Sequence, residues 1–417
     1  MEEIKQYVIR RSRLEGSVQL NGAKNSVLKL LTASLLTKEK IEINNYPADL
    51  LDARIHLEML KALGKECFVV DEKVIITETG KIQNKLSWEG RSIRNTLLIL
   101  GALVARTGQG AAPLPGGCQI GDRKYDLHKM LLRQLGAEVW VEGNMLCAEA
   151  KNGLKGTDIH LPIRSTGATE NAILCGALAE GVTQVWNPHI RPEILDLITF
   201  LKKMGAKITV YGQEHIEIEG SEGLIGAQHT PIADNMEAIT WVIGSVITNG
   251  DVEIIDFPFD HLEVPLIHLR ESGTKFYRGD NSLIVRSGHC YPIDIATGPY
   301  PGINSDMQPL FAVYGFCAQG ESRIIDLRFP GRYGYAEEIR KMGGQFKIEG
   351  NMLCIVGKAV LHGNHVTATD LRAGAALSLA GLVADGETVI EDAWQIGRGY
   401  DKFFDKMAAL GAIIFKS

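Results

Sequence analysis

The sequence predicts a mixed α/β protein built from six similar units of about 70 residues, and two interleaved turn patterns lead to this prediction. In the first pattern, a helical stretch ends in a glycine and an alternating strand follows. These glycines are Gly64, Gly136, Gly205, Gly273, Gly343 and Gly411. In the second pattern, an apolar helix of small residues ends in a short polar turn, at positions 38, 108, 181, 250, 320 and 386. Two independent markers with one period indicate a repeated supersecondary unit.

Within each unit the predicted order is strand, helix, strand, strand, helix. A glycine after the first helix can take the left-handed conformation that ends helices. The stretch Lys207–Gly212 then alternates with period two, and His215–Ile218 completes a hairpin. The second helix, as in Ala172–Ala179 and Ala373–Ala380, is apolar nearly all round and is expected to be buried. Six units suggest two domains of three; the alternative, a solenoid, would need polar terminal units that the sequence lacks.

Composition narrows the functional class. The 417 residues carry a net charge of −6, with 45% hydrophobic residues and 45 glycines, which excludes a disordered, coiled-coil or collagen-like chain. A net negative charge gives no long-range positive potential that would attract nucleic acid or anionic lipid. Any anionic ligand must therefore be bound by local lysines and arginines. The start lacks the apolar region of a signal peptide, and the apolar stretch 97–105 is too short to span a membrane. Seven cysteines without a C-x-x-C pair indicate reduced thiols, and we expect a cytoplasmic, bacterial protein.

The repeat also predicts where a ligand binds. Fourteen residues before each polar turn, at the start of the buried second helix, stand Lys24, Arg94, Gly167, Met236, Asp306 and Arg372. Free N–H groups at a helix start suit anions, whereas cations there oppose the helix dipole. Lys24, Arg94 and Arg372 therefore indicate ligand binding, while Asp306 alone is also compatible with an ordinary helix start.

One unit departs from the pattern. Where the others have a strand after the turn, the second unit has a stretch rich in Pro and Gly from Ala112 to Arg123, which predicts a mobile loop. Cys118 lies in this loop, and Arg123 and Lys124 follow closely enough to favour its thiolate. We expect a reactive thiol here, against the alternative of an inert one. The sequence has no P-loop, no H-E-x-x-H and no dinucleotide-binding glycine motif.

Several motifs together resemble the UDP-N-acetylglucosamine 1-carboxyvinyltransferases of the enolpyruvyl transferase family. They are Asn21-Gly22-Ala23-Lys24-Asn25, the loop 114–121 with Cys118, Asp126-Leu127-His128, Ser305-Asp306-Met307-Gln308, the run 369–373 and Gly397-Arg398-Gly399-Tyr400. The resemblance runs along nearly the whole chain. It implies an inside-out α/β barrel of two domains with three units each, one formed by 1–22 plus 233–417 and the other by 23–232.

The resemblance implies transfer of enolpyruvyl from phosphoenolpyruvate to the 3′-hydroxyl of UDP-N-acetylglucosamine, the first committed step of peptidoglycan synthesis. Cys118 resembles the general acid, which can also form a covalent phosphoenolpyruvate adduct, and Asp306 the base. Lys24, Arg123 and Arg398 resemble phosphate contacts, Arg372 a further phosphoenolpyruvate contact and Asn25 a sugar and ketal contact. The positions that match the UDP-sugar site are Arg94, Arg123, Lys124, Tyr125, Asp126, Leu127, Ile163, Arg164, Ser165, Thr166, Gly167, Asp306 and Ile324. Neither a metal nor a cofactor is implied, and thiol-alkylating inhibitors of the fosfomycin type are expected to bind.

The sequence departs from the family's usual pattern at several places. They are Lys124-Tyr125 after the loop arginine, Asn235 where the family has Arg, Asn304-Ser305 before Asp306, Leu327 within 326–329, and the unusual run 330–335. Two alternatives therefore remain: a paralogue acting on another nucleotide such as UMP, or a catalytically weak regulatory paralogue that binds UDP-sugar. In the second case, Pro330–Tyr335 is expected to form an interaction surface.

Overall fold

The computed structural model describes residues 6–91, 93–115, 125–286 and 288–417. These residues form two compact units. The first comprises 6–21 and the described part of 233–417, and the second comprises the described part of 22–232. Among the described residues, no helix combines the length and the apolar character that crossing a membrane requires.

The helices of the described residues are α1 (Lys24–Ala33), α2 (Leu51–Ala62), α3 (Thr96–Thr107), α4 (Asp126–Gln134), α5 (Thr166–Gly176), α6 (Pro192–Lys203), α7 (Asn235–Ile247), α8 (Glu263–Glu271), α9 (Gln308–Cys317), α10 (Gly334–Lys341), α11 (Leu371–Gly381), α12 (Trp394–Gly397) and α13 (Phe403–Ala409). The strands are β1 (Gln6–Arg10), β2 (Glu15–Gln19), β3 (Ile41–Ile43), β4 (Glu66–Val70), β5 (Lys73–Thr77), β6 (Gln109–Pro113), β7 (Glu138–Glu142), β8 (Met145–Glu149), β9 (Asp158–His160), β10 (Val182–Trp186), β11 (Lys207–Tyr211), β12 (His215–Glu219), β13 (Ala227–His229), β14 (Asp251–Ile255), β15 (Lys275–Arg278), β16 (Ser282–Arg286), β17 (Asp294–Ala296), β18 (Glu321–Ile325), β19 (Gln345–Glu349), β20 (Met352–Val356), β21 (His365–Thr367), β22 (Glu387–Glu391) and β23 (Ile413–Lys416).

Within the described residues these strands form six small sheets, of which the five four-stranded ones are mixed and the three-stranded one is antiparallel. The orders in the second unit are β13-β3-β5-β4, β6-β8-β7 and β11-β12-β10-β9. The orders in the first unit are β15-β16-β14-β2, β17-β18-β20-β19 and β21-β22-β1-β23. Each four-stranded sheet joins one parallel edge pair, such as β9 with β10, to antiparallel partners, such as β11 with β12. For α5, α9 and α11, this arrangement brings the strand before the helix and the strand after it into one sheet.

The structure confirms that the helix-ending glycines take a backbone conformation that favours glycine. Gly64, Gly136, Gly205, Gly273, Gly343 and Gly411 all have φ between +91° and +101°. Each follows the last residue of a helix by two positions, in the left-handed region where a side chain would be strained.

The buried second helices are also confirmed. Every residue of α11 is buried, and α7 is buried from Asn235 to Val246. By contrast, β12 buries only Ile216 and Ile218 and leaves its other face more accessible. Each unit has its own apolar core, formed by these helices and the inward faces of the sheets.

Two predictions about strands are incomplete or wrong. The three-residue strands β9, β13, β17 and β21 were not predicted, because three residues are too few for a period-two pattern to stand out. The strand after the turn of the second unit, predicted to be missing, is present as β6, which pairs with β8. Pro113 is tolerated because it is the last residue of β6, in a strand at the edge of its sheet.

Candidate active site

The predicted ligand-facing positions do lie at helix starts. Lys24 is the first residue of α1, and Gly167, Met236 and Arg372 are the second residues of α5, α7 and α11. Arg94 and Asp306 each precede their helix by two residues. All six positions therefore lie within two residues of a helix start, although Met236 has an apolar side chain.

In the second unit, the Lys24 ammonium forms a buried ion pair. Its Nζ lies 2.8 Å from Oδ2 of Asp52 in α2, and the two side chains are 10% and 5% exposed. A charge so withdrawn from water is stabilised by an opposite charge nearby. Asn25, the next residue, is half-buried. Asp52 was not singled out from the sequence, since it lies 28 positions from Lys24 in an ordinary amphipathic helix.

A second group in this unit converges on His128 of α4, near Arg94 and Gly167. Burial, with Arg94 as the next cause, lowers the pKa of His128 to about 3, so the imidazole is neutral. The amide nitrogen of Asn171 lies 3.0 Å from Nδ1 and donates to it. A Cβ added to Gly167 would lie 3.2 Å from Nε2, so glycine lets α5 approach the ring closely. Three of the predicted UDP-sugar segments thus meet around one neutral histidine.

The remaining UDP-sugar positions of this unit lie at the starts of α4 and α5. The Ser165 hydroxyl caps α5 by accepting from the Ala168 N–H at 3.4 Å, and Thr166 Oγ1 lies 2.8 Å from His189 Nδ1. Arg164 donates to Asn187 at 3.3 Å. Ile163 and Asp126 are exposed, while Tyr125 and Leu127 are half-buried. The starts of α4 and α5 therefore present an accessible carboxylate, Asp126, and an accessible apolar side chain, Ile163.

Cys118, Arg123 and Lys124 lie outside the described residues, so their predicted roles stay predictions. Other thiols contrast with the predicted reactivity of Cys118. Burial raises the pKa of Cys175 and of Cys317 to about 12, and that of Cys290 to about 11. A thiol with a raised pKa is a poor nucleophile near neutral pH.

In the first unit, Asp306, Arg332, Asp370 and Arg372 form what we call the arginine–aspartate cluster. Arg332 Nη1 lies 3.0 Å from Asp306 Oδ1, and its Nη2 lies 3.4 Å from Asp370 Oδ2. Arg372 Nε lies 3.5 Å from the other carboxylate oxygen of Asp306. Asp370 also caps α11, accepting from the N–H groups of Arg372 and Ala373 at 2.7 and 3.0 Å. Each oxygen of Asp306 therefore faces one guanidinium.

Arg372 is a buried cation with a 1% exposed side chain. Burial alone would lower the pKa of its guanidinium, but Tyr400 and Asp306 outweigh this and raise the pKa above its ordinary value. The Tyr400 ring centroid lies 5.0 Å from the guanidinium carbon. Arg398, two residues earlier, is 8% exposed and donates to Gln395 Oε1 at 3.1 Å. Both predicted phosphoenolpyruvate contacts of this unit, Arg372 and Arg398, are thus buried cations, and Arg372 lies against the Tyr400 ring.

The expectation that Pro330–Tyr335 forms an interaction surface is wrong for its large side chains. Tyr333 and Tyr335 are each 2% exposed, and the Arg332 side chain is 8% exposed. Tyr333 donates through its hydroxyl to the Asn351 carbonyl at 2.6 Å, and the hydroxyl accepts from the Asp326 N–H at 3.0 Å. The segment turns inward because Arg332 pairs with carboxylates, Tyr333 bonds backbone carbonyls and the Tyr335 ring is buried in the apolar core.

Ile324, predicted to contact the UDP-sugar, is fully buried in β18. Its carbonyl lies 3.2 Å from the Tyr333 hydroxyl. Its side chain therefore lies in the apolar core of the first unit rather than at an accessible surface. Arg332 and Asp370, which complete that cluster, were missed from the sequence. Asp370 had a recognisable signal, because an aspartate directly before a buried helix is a typical N-cap.

Comparison with known proteins identifies the family of this chain. The sequence model of EPSP synthase (3-phosphoshikimate 1-carboxyvinyltransferase) matches residues 8–407. The chain belongs to the enolpyruvyl transferase family.

Relatives in this family match almost the entire chain. A UDP-N-acetylglucosamine 1-carboxyvinyltransferase 1 of Caldanaerobacter subterraneus subsp. tengcongensis is 39% identical over 412 residues, covering 98% of this chain and 99% of the relative. A UDP-N-acetylglucosamine 1-carboxyvinyltransferase 2 of Carboxydothermus hydrogenoformans is 40% identical over 408 residues, with 97% of each chain covered. The protein named UDP-N-acetylglucosamine 1-carboxyvinyltransferase of Finegoldia magna is 38% identical over 406 residues, with 96% of each covered.

Two solved structures share the fold of this enolpyruvyl transferase. The enolpyruvyl transferase NikO from Streptomyces tendae superposes with a TM-score of 0.88 at 24% identity, over 99% of this chain and 98% of that one. An EPSP synthase from Acinetobacter baumannii gives a TM-score of 0.76 at 18% identity, over 99% of both chains. At these identities the likeness concerns the mixed α/β fold.

Proposed function

We propose that this enolpyruvyl transferase moves the enolpyruvyl group of phosphoenolpyruvate to the 3′-hydroxyl of UDP-N-acetylglucosamine and releases phosphate. The observation that carries the proposal is the 38–40% identity, over nearly the full length, to transferases named for UDP-N-acetylglucosamine. Both substrates are anionic, which fits cations buried at helix starts in a chain of net charge −6. In a bacterium the product would enter peptidoglycan synthesis.

The reaction requires an acid, a base and cations. The C3 methylene of phosphoenolpyruvate gains a proton while the sugar oxygen bonds to C2, giving a tetrahedral ketal. Loss of a proton from C3 and of phosphate from C2 then restores the double bond. Proton transfer by positioned side chains and fixed cations around the phosphate would lower the barrier to both steps.

The arginine–aspartate cluster supplies groups for the acceptor side of this chemistry. Asp306 is 26% exposed at its side chain, so its carboxylate is accessible enough to take the proton of the 3′-hydroxyl. Arg372 and Arg398 are buried cations for the phosphoenolpyruvate anion. In the second unit, Lys24 would contact the phosphate, and the group around His128 would receive the UDP-sugar. Cys118 would be the general acid, with Arg123 and Lys124 beside it in the sequence, and could form a covalent adduct with phosphoenolpyruvate.

We further propose that the six sheets represent six pseudo-repeats, three in each of two domains (1–22 with 233–417, and 23–232), and that each domain is an inside-out α/β barrel. The strand arrangement shared by the five four-stranded sheets, the six positive-φ glycines and the fully buried α11 support this proposal. A barrel with its helices inside places the helix starts of one domain at a common end. The cations at positions 24 and 94 of the second unit would then act as parts of one ligand site.

The test is acceptor-dependent phosphate release. Purified protein with phosphoenolpyruvate should release phosphate when UDP-N-acetylglucosamine is added and remain inactive without an acceptor. UMP and shikimate 3-phosphate serve as matched alternative acceptors. Release with UMP alone would assign another nucleotide acceptor, and release with none, despite binding of UDP-N-acetylglucosamine, would assign a regulatory paralogue.

A further inference from the structure

The outer face of the sheet β11-β12-β10-β9 carries four aromatic rings that the proposed reaction does not use. Residues of these strands alternate between buried and more accessible, so the accessible side chains point away from the core of the second unit. In the pairing register, Trp186 is opposite both His160 and His215, and His215 is opposite Tyr211. One line of rings, which we call the aromatic row, therefore crosses all four strands.

The rings of the aromatic row stack on one another. The ring centroids of Trp186 and His215 lie 4.4 Å apart, and those of His215 and Tyr211 lie 4.3 Å apart, with interplanar angles of 22° and 11°. His160 follows on the other side of Trp186, at 6.0 Å and 7°. Because β11 is an edge strand, the row ends at Tyr211, which is 44% exposed. Among the described residues, only one face of the Tyr211 ring has a stacked neighbour, so the row ends in an accessible aromatic face.

The edge strands of the first unit show what covers such rings elsewhere in this protein. Tyr277 of β15, Phe346 of β19 and Phe415 of β23 each have a guanidinium of the same unit over the ring. The arginines are Arg286 at 5.2 Å, Arg340 at 4.0 Å and Arg10 at 5.1 Å from the ring centroid, in that order. Within the described part of the chain, no lysine or arginine takes this place over Tyr211, whose ring neighbour is His215. An aromatic face attracts a cation, and a planar guanidinium can also stack on it.

The side chains beside the aromatic row make this face of the sheet negative. The adjacent line of the same register holds Asp158, Gln184 and Glu217, and Gln184 donates to Glu217 Oε2 at 2.6 Å. Lys207 is the only lysine or arginine of the four strands, and it pairs with Glu219 at 2.7 Å. Nucleic acid bases also stack on aromatic rings of sheets, but these carboxylates would repel the phosphates. The face therefore suits a positively charged partner.

We propose that the aromatic row is a docking site for an arginine-bearing segment of a partner protein, whose guanidinium stacks on the accessible face of Tyr211. Alternate side chains of an extended segment lie roughly 7 Å apart. A second basic residue, two positions along the segment, can therefore approach Glu217, which lies two positions beyond His215 in β12. The row contains none of the candidate active-site residues, so this inference does not depend on the acceptor of the reaction.

The test is the binding of a short synthetic peptide of alternating glycine and arginine to the purified full-length chain. The labelled peptide and its glycine–glutamine counterpart are titrated by fluorescence anisotropy at pH 8, where free imidazole is neutral. We expect the arginine peptide to bind more tightly. Tyr211→Leu should weaken its binding about 3- to 10-fold, whereas Tyr211→Phe, which keeps the ring, should stay within about 2-fold of wild type. Glu217→Gln should weaken binding at about 20 mM salt but not at about 0.5 M, because salt screens exposed charges.

The matched control is Tyr277→Leu. Tyr277 is also an exposed tyrosine of an edge strand, but Arg286 already lies over its ring. This variant should bind the arginine peptide as wild type does. Thermal unfolding of every variant shows that each is folded at the assay temperature.

Several results would overturn the inference. Equal binding of the two peptides by wild type would show that the face does not select a cation. Equal losses in Tyr277→Leu and Tyr211→Leu would reduce the effect to attraction by net charge. A Tyr211→Phe variant as weak as Tyr211→Leu would exclude a role for the ring. Displacement of the peptide by a neutral oligosaccharide or by RNA would assign the row to another class of partner.

Discussion

The buried carboxyl group of Glu170 in α5 should make the second unit less stable as the pH rises. Its side chain is 4% exposed, and its nearest counter-charge is Lys29 in α1, whose Nζ lies 3.7 Å from Oε2. Burial, only partly offset by Lys29 and Arg191, raises the pKa of Glu170 to about 7 from its ordinary value of 4.5. Between these two pH values, the folded protein therefore keeps a proton on Glu170 that the unfolded chain has already released.

The sign and size of the effect follow from proton linkage. Where the folded state binds more protons, stability falls with increasing pH, at about 1.4 kcal/mol per pH unit for one group. A difference of roughly 2.5 pH units gives a total of about 3 kcal/mol. Because part of the change lies below pH 5, roughly 2 to 3 kcal/mol should be lost between pH 5 and pH 8.

The assay is urea unfolding at pH 5, 6, 7 and 8 for wild type and Glu170→Gln, with Glu180→Gln as the exposed control. The quantity compared is the free energy of unfolding of wild type minus that of E170Q. It should decrease by roughly 2 to 3 kcal/mol between pH 5 and pH 8. The corresponding difference for E180Q should stay constant. A flat difference for E170Q would show that Glu170 titrates as in water. A difference that grows with pH would show that the Lys29 ion pair outweighs the cost of burial.

Three further predictions follow from the same structure. Asp306→Ala should lower kcat by ~10² or more at an assay temperature where the variant is still folded, as for a lost general base; unchanged turnover would leave Asp306 as an ordinary helix-start residue. Fosfomycin should add mass at Cys118 alone in peptide mass spectrometry, and labelling of a buried thiol instead would contradict the reactive-loop prediction. Gly101→Ala should destabilise the protein by about 1–3 kcal/mol, because the new Cβ would overlap the Asn171 side chain. Gly223→Ala, which meets open space, is its control in thermal unfolding, and equal midpoints would refute the packing argument.

Local signals account for what could be predicted of the fold. A left-handed glycine such as Gly205 and an alternating hairpin such as β11 and β12 are encoded within a dozen residues, so periodicity reveals them. The strand β13 has three residues and is defined by its pairing with β3, almost 190 positions earlier. Pairing across that distance leaves no mark in a local window of sequence.

The residues of the candidate site also fall into those that a local sequence signal reveals and those that only distant contacts define. Lys24 and Arg372 could be found because a cation at the start of an apolar helix is locally unusual. Arg332 could not, because its importance comes from carboxylates 26 and 38 residues away. Its neighbours Pro330 and Gly331 resemble an exposed loop in any local window, and only the folded chain shows that the arginine points inward.

The sheet β21-β22-β1-β23 has a consequence for biosynthesis. β1 pairs with both β22 and β23, and the Ile413 N–H donates to the Ser12 hydroxyl across 401 positions of sequence. A ribosome adds about 5–20 residues per second, so β1 must wait on the order of 20–80 seconds for these partners. The residues of the second unit are complete long before then and can fold during synthesis, while an early strand of the first unit stays exposed. The newly made chain should therefore depend on chaperones mainly for β1, and slower translation after residue 232 should lengthen that dependence.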